Sequence, residues 1–320
     1  MRGLRRLWER SESLIRYLIQ RIILAVVTLL VVATATFFLM HAVPGDPLRQ
    51  EKAVSDVVRA NLEAKYGLNK PLAEQYTTYM ANMFLRGDFG ISFKQVDRPV
   101  NRIIAEHFLP SAILGVTALF GALVFGVILG VFSGLARGGW PDFVAMAVAV
   151  LGVSIPSFCL AYFLQQVFAL ELGILPVGGW GSFAETVLPA MSLGMIVMAS
   201  LARLMRSSML DVVQQDYVKT AKAKGLSRLE IVLRHQLRNA LLPVMVYFGP
   251  LFATIMTGSF VIESIFGIPG LGQFFVSAVN ELDYTVIMGL TVFYAGFTIV
   301  IILVNDLLLA VIDPRIRLAA

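Results

Sequence analysis

Six stretches of this 320-residue chain run without a single Asp, Glu, Lys, Arg or His: 22–40, 108–136, 143–170, 186–202, 239–262 and 284–305. A helix needs about 17–25 apolar residues to cross roughly 30 Å of bilayer hydrocarbon. Each stretch meets that length, the fourth only just at 17 residues. Lipid offers no partner for backbone N–H and C=O groups, so isolated apolar runs of this kind must satisfy themselves as helices. The expectation is an all-α polytopic membrane protein with six transmembrane helices. Composition agrees: 58% of residues are hydrophobic, 15% are charged and the mean hydropathy is +0.78, whereas soluble domains run near half apolar and a quarter charged.

Arg2, Arg5, Arg6, Arg10, Arg16 and Arg21 precede the first stretch, as they would in a secretory signal. The apolar part of a signal is shorter, about 7–15 residues, so the stretch reads as a retained helix. The single cysteine, Cys159, permits no internal disulfide and supports no metal site.

Basic residues sort unevenly among the connections. Six lie before the first stretch, one in 137–142, eight in 203–238 and two after the sixth, while the short connections 171–185 and 263–283 hold none. Positive charge in short loops marks the cytoplasmic side, which places both termini and the 203–238 loop inside. The long connection 41–107 carries nine basic and eight acidic residues. Loops longer than about 60 residues translocate largely regardless of charge, and parity puts this one outside. The net charge of +5 is thereby a consequence of topology and calls for no nucleic-acid partner.

The expected organisation is a cytoplasmic amphipathic segment over 1–21, a first span over 22–41, an external helical loop over 42–107, a core of five spans over 108–305 and a cytoplasmic tail over 306–320. Leu4, Leu7, Trp8, Leu14 and Leu18 among arginines suit a helix lying in the membrane interface before it turns into the first span. In the external loop, Ser55 can cap a helix that Gly67 ends, and Pro71 can start the next. Leu72, Tyr76, Tyr79, Met80 and Met83 then share a face, which serves equally to dock a partner or to pack on the bundle.

The 203–238 loop carries the most specific local chemistry. A helix over roughly Asp211–Lys224 brings Val213, Tyr217, Ala221 and Lys224 to one side, and Gly225 supplies the left-handed residue that closes it. Ser227 with Glu230 three positions on forms a capping box for the next helix. The product is a rigid basic corner, suited either to seat in a groove on a soluble partner or to rest on anionic lipid.

With Asp216, Tyr217, the run KTAKAKGLS and RNALLPV, this segment resembles the signature cytoplasmic loop of ATP-binding-cassette importer permeases in its peptide-transporter form. Lys219, Thr220 and Ala221 stand where the general pattern has Glu-Ala-Ala. The resemblance extends through VPGDP at 43–47, NLEAKYGLNKPL at 61–72, RGDFGISF at 86–93, SIPSF at 154–158, ILPVGGW at 174–180, ESIFGIPGLG at 263–272 and DPRIR at 313–317.

The resemblance implies the type I importer fold and one half of a pore in a bacterial cytoplasmic membrane. The other half would be a homologous second permease, with two ATPase subunits or domains beneath and an extracytoplasmic peptide-binding protein above. It further implies that Asp216, Tyr217, Lys219, Thr220, Ala221, Lys222, Ala223, Lys224, Gly225 and Leu226 couple to the ATPase, with Tyr217 and Ala221 as the contact face and Lys219, Lys222 and Lys224 at its rim. Glu263, Phe266, Gly267, Pro269 and Gly270 would form an outer gate or binding-protein contact. Nickel and glutathione importers share these motifs and are alternative cargo readings.

No glycine is followed by lysine, so the phosphate-cradling GxxxxGK[ST] loop is absent. ATP and magnesium are therefore expected on the partner subunits, with no cofactor, metal or catalytic residue on this chain. The uncharged spans lack the intramembrane Asp, Glu or His that a proton-driven carrier usually needs. Ser154, Ser157, Gln165, Gln166, Ser192, Thr254 and Thr257 are the candidate lining of a neutral pathway. Gly126, Gly130, Pro156, Pro189 and Pro250 read as packing or kink positions.

Overall fold

The computed structural model describes the backbone of residues 2–44, 60, 63–95 and 97–312, and side chains within 19–309 of that set. Ser55, the VPGDP turn from Gly45 onward, the DPRIR run and the side chains of the N-terminal leucines lie outside it. The elements are α1 (Arg2–Ala42), α2 (Leu72–Arg86), α3 (Val100–Leu135), α4 (Trp140–Ser154), α5 (Ser157–Glu171), α6 (Phe183–Val213), α7 (Asp216–Ala223), α8 (Arg228–Met256), α9 (Phe260–Phe266), α10 (Leu271–Glu281) and α11 (Tyr284–Ile312). Among the described residues there is no strand, only an isolated bridge between Ile91 and Pro99. Five of these helices are long and apolar enough to cross a membrane, with up to seven spans if two sharply bent pairs count as one each. Counting α4 with α5 yields the expected six; the second pair, α9 with α10, falls in the connection read as a loop.

Three boundaries differ from expectation. The backbone of α1 is one unbroken helix from Arg2, where a turn near residue 21 was expected. The third apolar stretch is broken rather than continuous, α5 bending 107° from α4. Pro156 is the cause, because a proline ring disfavours helical backbone in the residue before it, and Ile155 is extended at φ −90°, ψ 122°. The fourth, marginal stretch extends into a 31-residue helix, α6. A charge-free count stops at Arg203, whereas the helix continues to Val213 with Arg203 exposed and Arg206 paired to Asp142.

The chain divides into two compact units. One comprises residues 2–109 with Leu271–Leu303, the other Pro110–Gly270 with Val304–Ile312. In the first, α2 turns its aromatic face onto α1 and α11. Phe37 stacks on Tyr79 at 6.0 Å, the Thr34 and Tyr76 hydroxyls bond at 2.9 Å, and Met83 joins Ala33 and Val292 in a buried cluster. The amphipathic face of α2 therefore packs on its own unit. Asp283, buried at the start of α11, accepts hydrogen bonds from Ser92 Oγ at 2.5 Å and the Phe93 N–H at 3.1 Å, pinning the 90–95 turn to that helix.

The second unit is built around α6, which packs against α4, α5 and α8. Its core includes Leu114, Leu188, Leu201, Met205, Ile262 and Phe266. Gly126 and Gly130 let α3 approach α6 closely: a Cβ at Gly126 would stand 2.8 Å from Met198 O, and one at Gly130 would stand 2.5 Å from Met205 Cβ. Small residues on one helix face are what lipid-embedded helices use to gain van der Waals contact.

Candidate functional site

The corner forms where expected but in a different phase. α6 ends at Val213, and Gln215 is extended at φ −70°, ψ 147°, so α7 starts afresh at Asp216. Gly225 closes it at φ +78°. The Gly225 N–H bonds Lys222 O at 3.0 Å and the Leu226 N–H bonds Ala221 O at 3.4 Å, the paired bonds of a Schellman close. Ser227 Oγ then accepts the Glu230 N–H at 3.3 Å and caps α8.

Restarting the helix rotates its faces. Val218 and Ala221 point inward and form a small core with Ile231 and Leu226. Ala221, expected at the contact face with Tyr217, is 4% exposed and presents nothing to a partner in this conformation. Asp216, Tyr217, Lys219, Thr220, Lys222, Ala223 and Lys224 face outward. Tyr217 is fastened, because its hydroxyl accepts a 2.9 Å hydrogen bond from Asn239 Nδ2 on α8. The surface is a single short helix with three lysines, held at both ends.

A second anchor lies seven residues before the end of α6. Arg206 grips Asp142 with two hydrogen bonds, Nε to Oδ1 at 2.7 Å and Nη2 to Oδ2 at 2.8 Å. The same carboxylate accepts from Ser133 Oγ and from the Gly138 N–H at 2.9 Å. This four-membered cluster ties the end of α3 and the start of α4 to the helix that leads into the corner. Sequence reading missed it, since 64 residues separate the partners. The available signal was Asp142 itself, the one acid in an otherwise apolar or basic connection.

The loop around Glu263 is closed. Glu263 is 0% exposed, and its carboxylate accepts Ser111 Oγ of α3 at 2.7 Å. Gly258 and Gly270 flank it so tightly that a Cβ on either would stand 2.4 Å from its atoms. Phe266 is buried, and its carbonyl accepts the Gly179 N–H at 2.8 Å, which straps the ILPVGGW segment onto this loop. Gln165 Nε2 donates to Val177 O at 2.7 Å in the same knot. Gly267 and Pro269 are its exposed tip. In this conformation Glu263 binds the loop together from within.

The candidate pathway residues are mostly committed to their own helices. Ser154, Ser192, Thr254 and Thr257 hydroxyls donate to carbonyls three or four residues back, and Gln165 belongs to the knot.

Comparison with known proteins decides the family. Residues 126–318 match the binding-protein-dependent transport system inner membrane component, and residues 14–109 match the N-terminal part of such membrane components. The chain belongs to this permease family. It is 47% identical over 303 residues to the dipeptide transport system permease protein DppB of Bacillus subtilis (strain 168), covering 95% of this chain and 98% of that one. Identity is 44% over 306 residues to the oligopeptide transport system permease protein OppB of Haemophilus influenzae, covering 95% and 100%. Among solved structures, an inward-facing methionine ABC transporter, MetNI, aligns with a TM-score of 0.53 at 15% identity, covering 66% of this chain and 96% of that one; this shows a shared fold. The permease is an inner-membrane component of an ABC importer that works with an ATPase. Its corner, Asp142–Arg206 cluster and knot all fall in the 126–318 match, apart from Ser111.

Proposed function

We propose that this permease moves peptides inward across a bacterial cytoplasmic membrane as one half of a heterodimeric pore. The second half is a homologous permease, an extracytoplasmic binding protein delivers the peptide, and two ATPase subunits or domains supply the work using ATP and magnesium. Both termini and the corner face the cytoplasm, in keeping with the eight basic residues of 203–238. Peptide cargo is favoured by the 47% and 44% identity to permeases named for dipeptide and oligopeptide transport.

The observation that carries the coupling role is the doubly anchored α7. A capped helix, pinned through Tyr217 and closed at Gly225, transmits a rigid-body push that a slack loop would absorb. Tyr217, Thr220 and Ala223 meet the ATPase, with Lys219 and Lys224 around them, while Ala221 supports the helix from inside.

Gly225→Val tests this directly. Nothing lies within 4 Å of where a Cβ would stand, so the substitution acts through the left-handed backbone that a β-branched residue resists. In reconstituted complex, the variant is expected to assemble yet lose peptide uptake and most ligand-stimulated ATP hydrolysis. Assembly with wild-type stimulation would refute the coupling role. Uptake of labelled nickel in preference to labelled peptides of two to seven residues would refute the cargo.

A further inference from the structure

A cleft of about 520 Å³ opens between the end of α3, the end of α6, the back of α7 and the start of α8. That volume lies within the range of about 300–1,000 Å³ typical of small-molecule sites. Its polar lining is Arg137, Lys222, Arg228, Gln214 and Gln236, and no carboxylate is among the lining residues. None of the three cations takes part in an ion pair among the described residues. Gln236 is 3% exposed, yet its Oε1 has no hydrogen-bond partner. A buried amide oxygen without a partner is costly to leave so, and a hydroxyl donor in the cleft would satisfy it. Rotation about the last side-chain bond, a soft torsion, can bring either amide atom to the cleft.

The rest of the wall is apolar, from Leu135, Leu210 and Val213 at the ends of the spans and Ile231 at the foot of α8. A ligand for this lining needs anionic oxygens for three cations, a hydroxyl for Gln236 and an apolar portion for the wall. We infer that the cleft binds the headgroup of an anionic glycerophospholipid, with the phosphodiester on Arg137, Lys222 and Arg228 and a glycerol hydroxyl donating to Gln236. Position supports lipid over a free anion, because the cleft is walled by the last turns of two helices long and apolar enough to cross a membrane. Basic pockets between spans hold such headgroups, and each Lys or Arg near a membrane surface adds to the attraction for anionic lipid. The inference rests on the membrane assignment and is independent of peptide cargo and of which face is cytoplasmic.

The test uses the full-length chain in its assembled complex, delipidated in a neutral detergent. Short-chain phosphatidylglycerol is expected to raise Tm where phosphatidylcholine of equal chain length and inorganic phosphate leave it unmoved. Native mass spectrometry should count a retained phosphatidylglycerol that Arg137→Gln combined with Arg228→Gln reduces at least tenfold; this readout holds even where the variant melts lower. Gln236→Leu should weaken phosphatidylglycerol more than phosphatidic acid, which has no glycerol hydroxyl to offer. Equal response to phosphatidylcholine, equal response to phosphate, or lipid retained by the double variant would each overturn the inference. So would lipid binding seen only after the ATPase is removed, since the cleft would then belong to a protein partner.

Discussion

Asp142 and Arg206 illustrate how a single ion pair can be worth little as a pair and much as a constraint. Asp142 is buried and Arg206 is 29% exposed, so the pair gains little net over two solvated charges, but removing the arginine strands the carboxylate. Arg206→Met is expected to destabilise the permease by on the order of 3 kcal/mol and Asp142→Leu by less, because the partly exposed Arg206 can turn to water, while the two combined should cost clearly less than the sum of the singles. Thermal unfolding of the four proteins in one detergent measures the cycle; strict additivity would show that the two side chains do not act together. Glu263 has the same character. Because a Cβ on Gly270 would stand 2.4 Å from the Glu263 carboxyl carbon, Gly270→Ala must displace a buried group, and a loss of about 1–3 kcal/mol is expected. A variant that melts with wild type would mean that the loop is not locked this way.

At the scale of elements, local chemistry and packing divide the work. The caps of the corner were legible in the chain, because Ser227, Glu230 and Gly225 act on neighbours within a few residues. The break at Gln214–Gln215 was not, since no proline or glycine marks it. That break turns Ala221 inward and leaves Thr220 and Ala223 on the exposed side. On α3, Gly130→Leu is expected to push the helix off α6, as the new side chain would meet Met205 and the Ala202 carbonyl at less than contact distance. Lower yield of folded complex and a reduced Tm are the measurements. Gly121→Leu on the same helix serves as the control, for nothing lies within 4 Å of its position. Equal behaviour of the two variants would remove close packing as the reason for the glycine.

At the scale of the whole molecule, the chain has a membrane-crossing body without a nucleotide site. Uptake into vesicles holding the full complex should therefore fall to background when the partner's nucleotide site is disabled, even though this chain inserts and folds. Persistent uptake would point to a secondary carrier instead. The polytopic all-helical character, the apolar surface and the basic loop follow from the sequence by itself, because the requirements of lipid act on every residue of a run and need no knowledge of its neighbours in space. Only the tertiary structure decided that Asp142 meets Arg206, that Glu263 is enclosed by Ser111 and two glycines, that the third apolar stretch folds back at Pro156, and that Ala221 supports the corner from within. Each of these depends on helix phase or on partners far apart in the chain, and a one-residue change of phase turns a side chain by 100° about its helix. The basic corner was visible from its caps; which of its residues face outward was settled by packing.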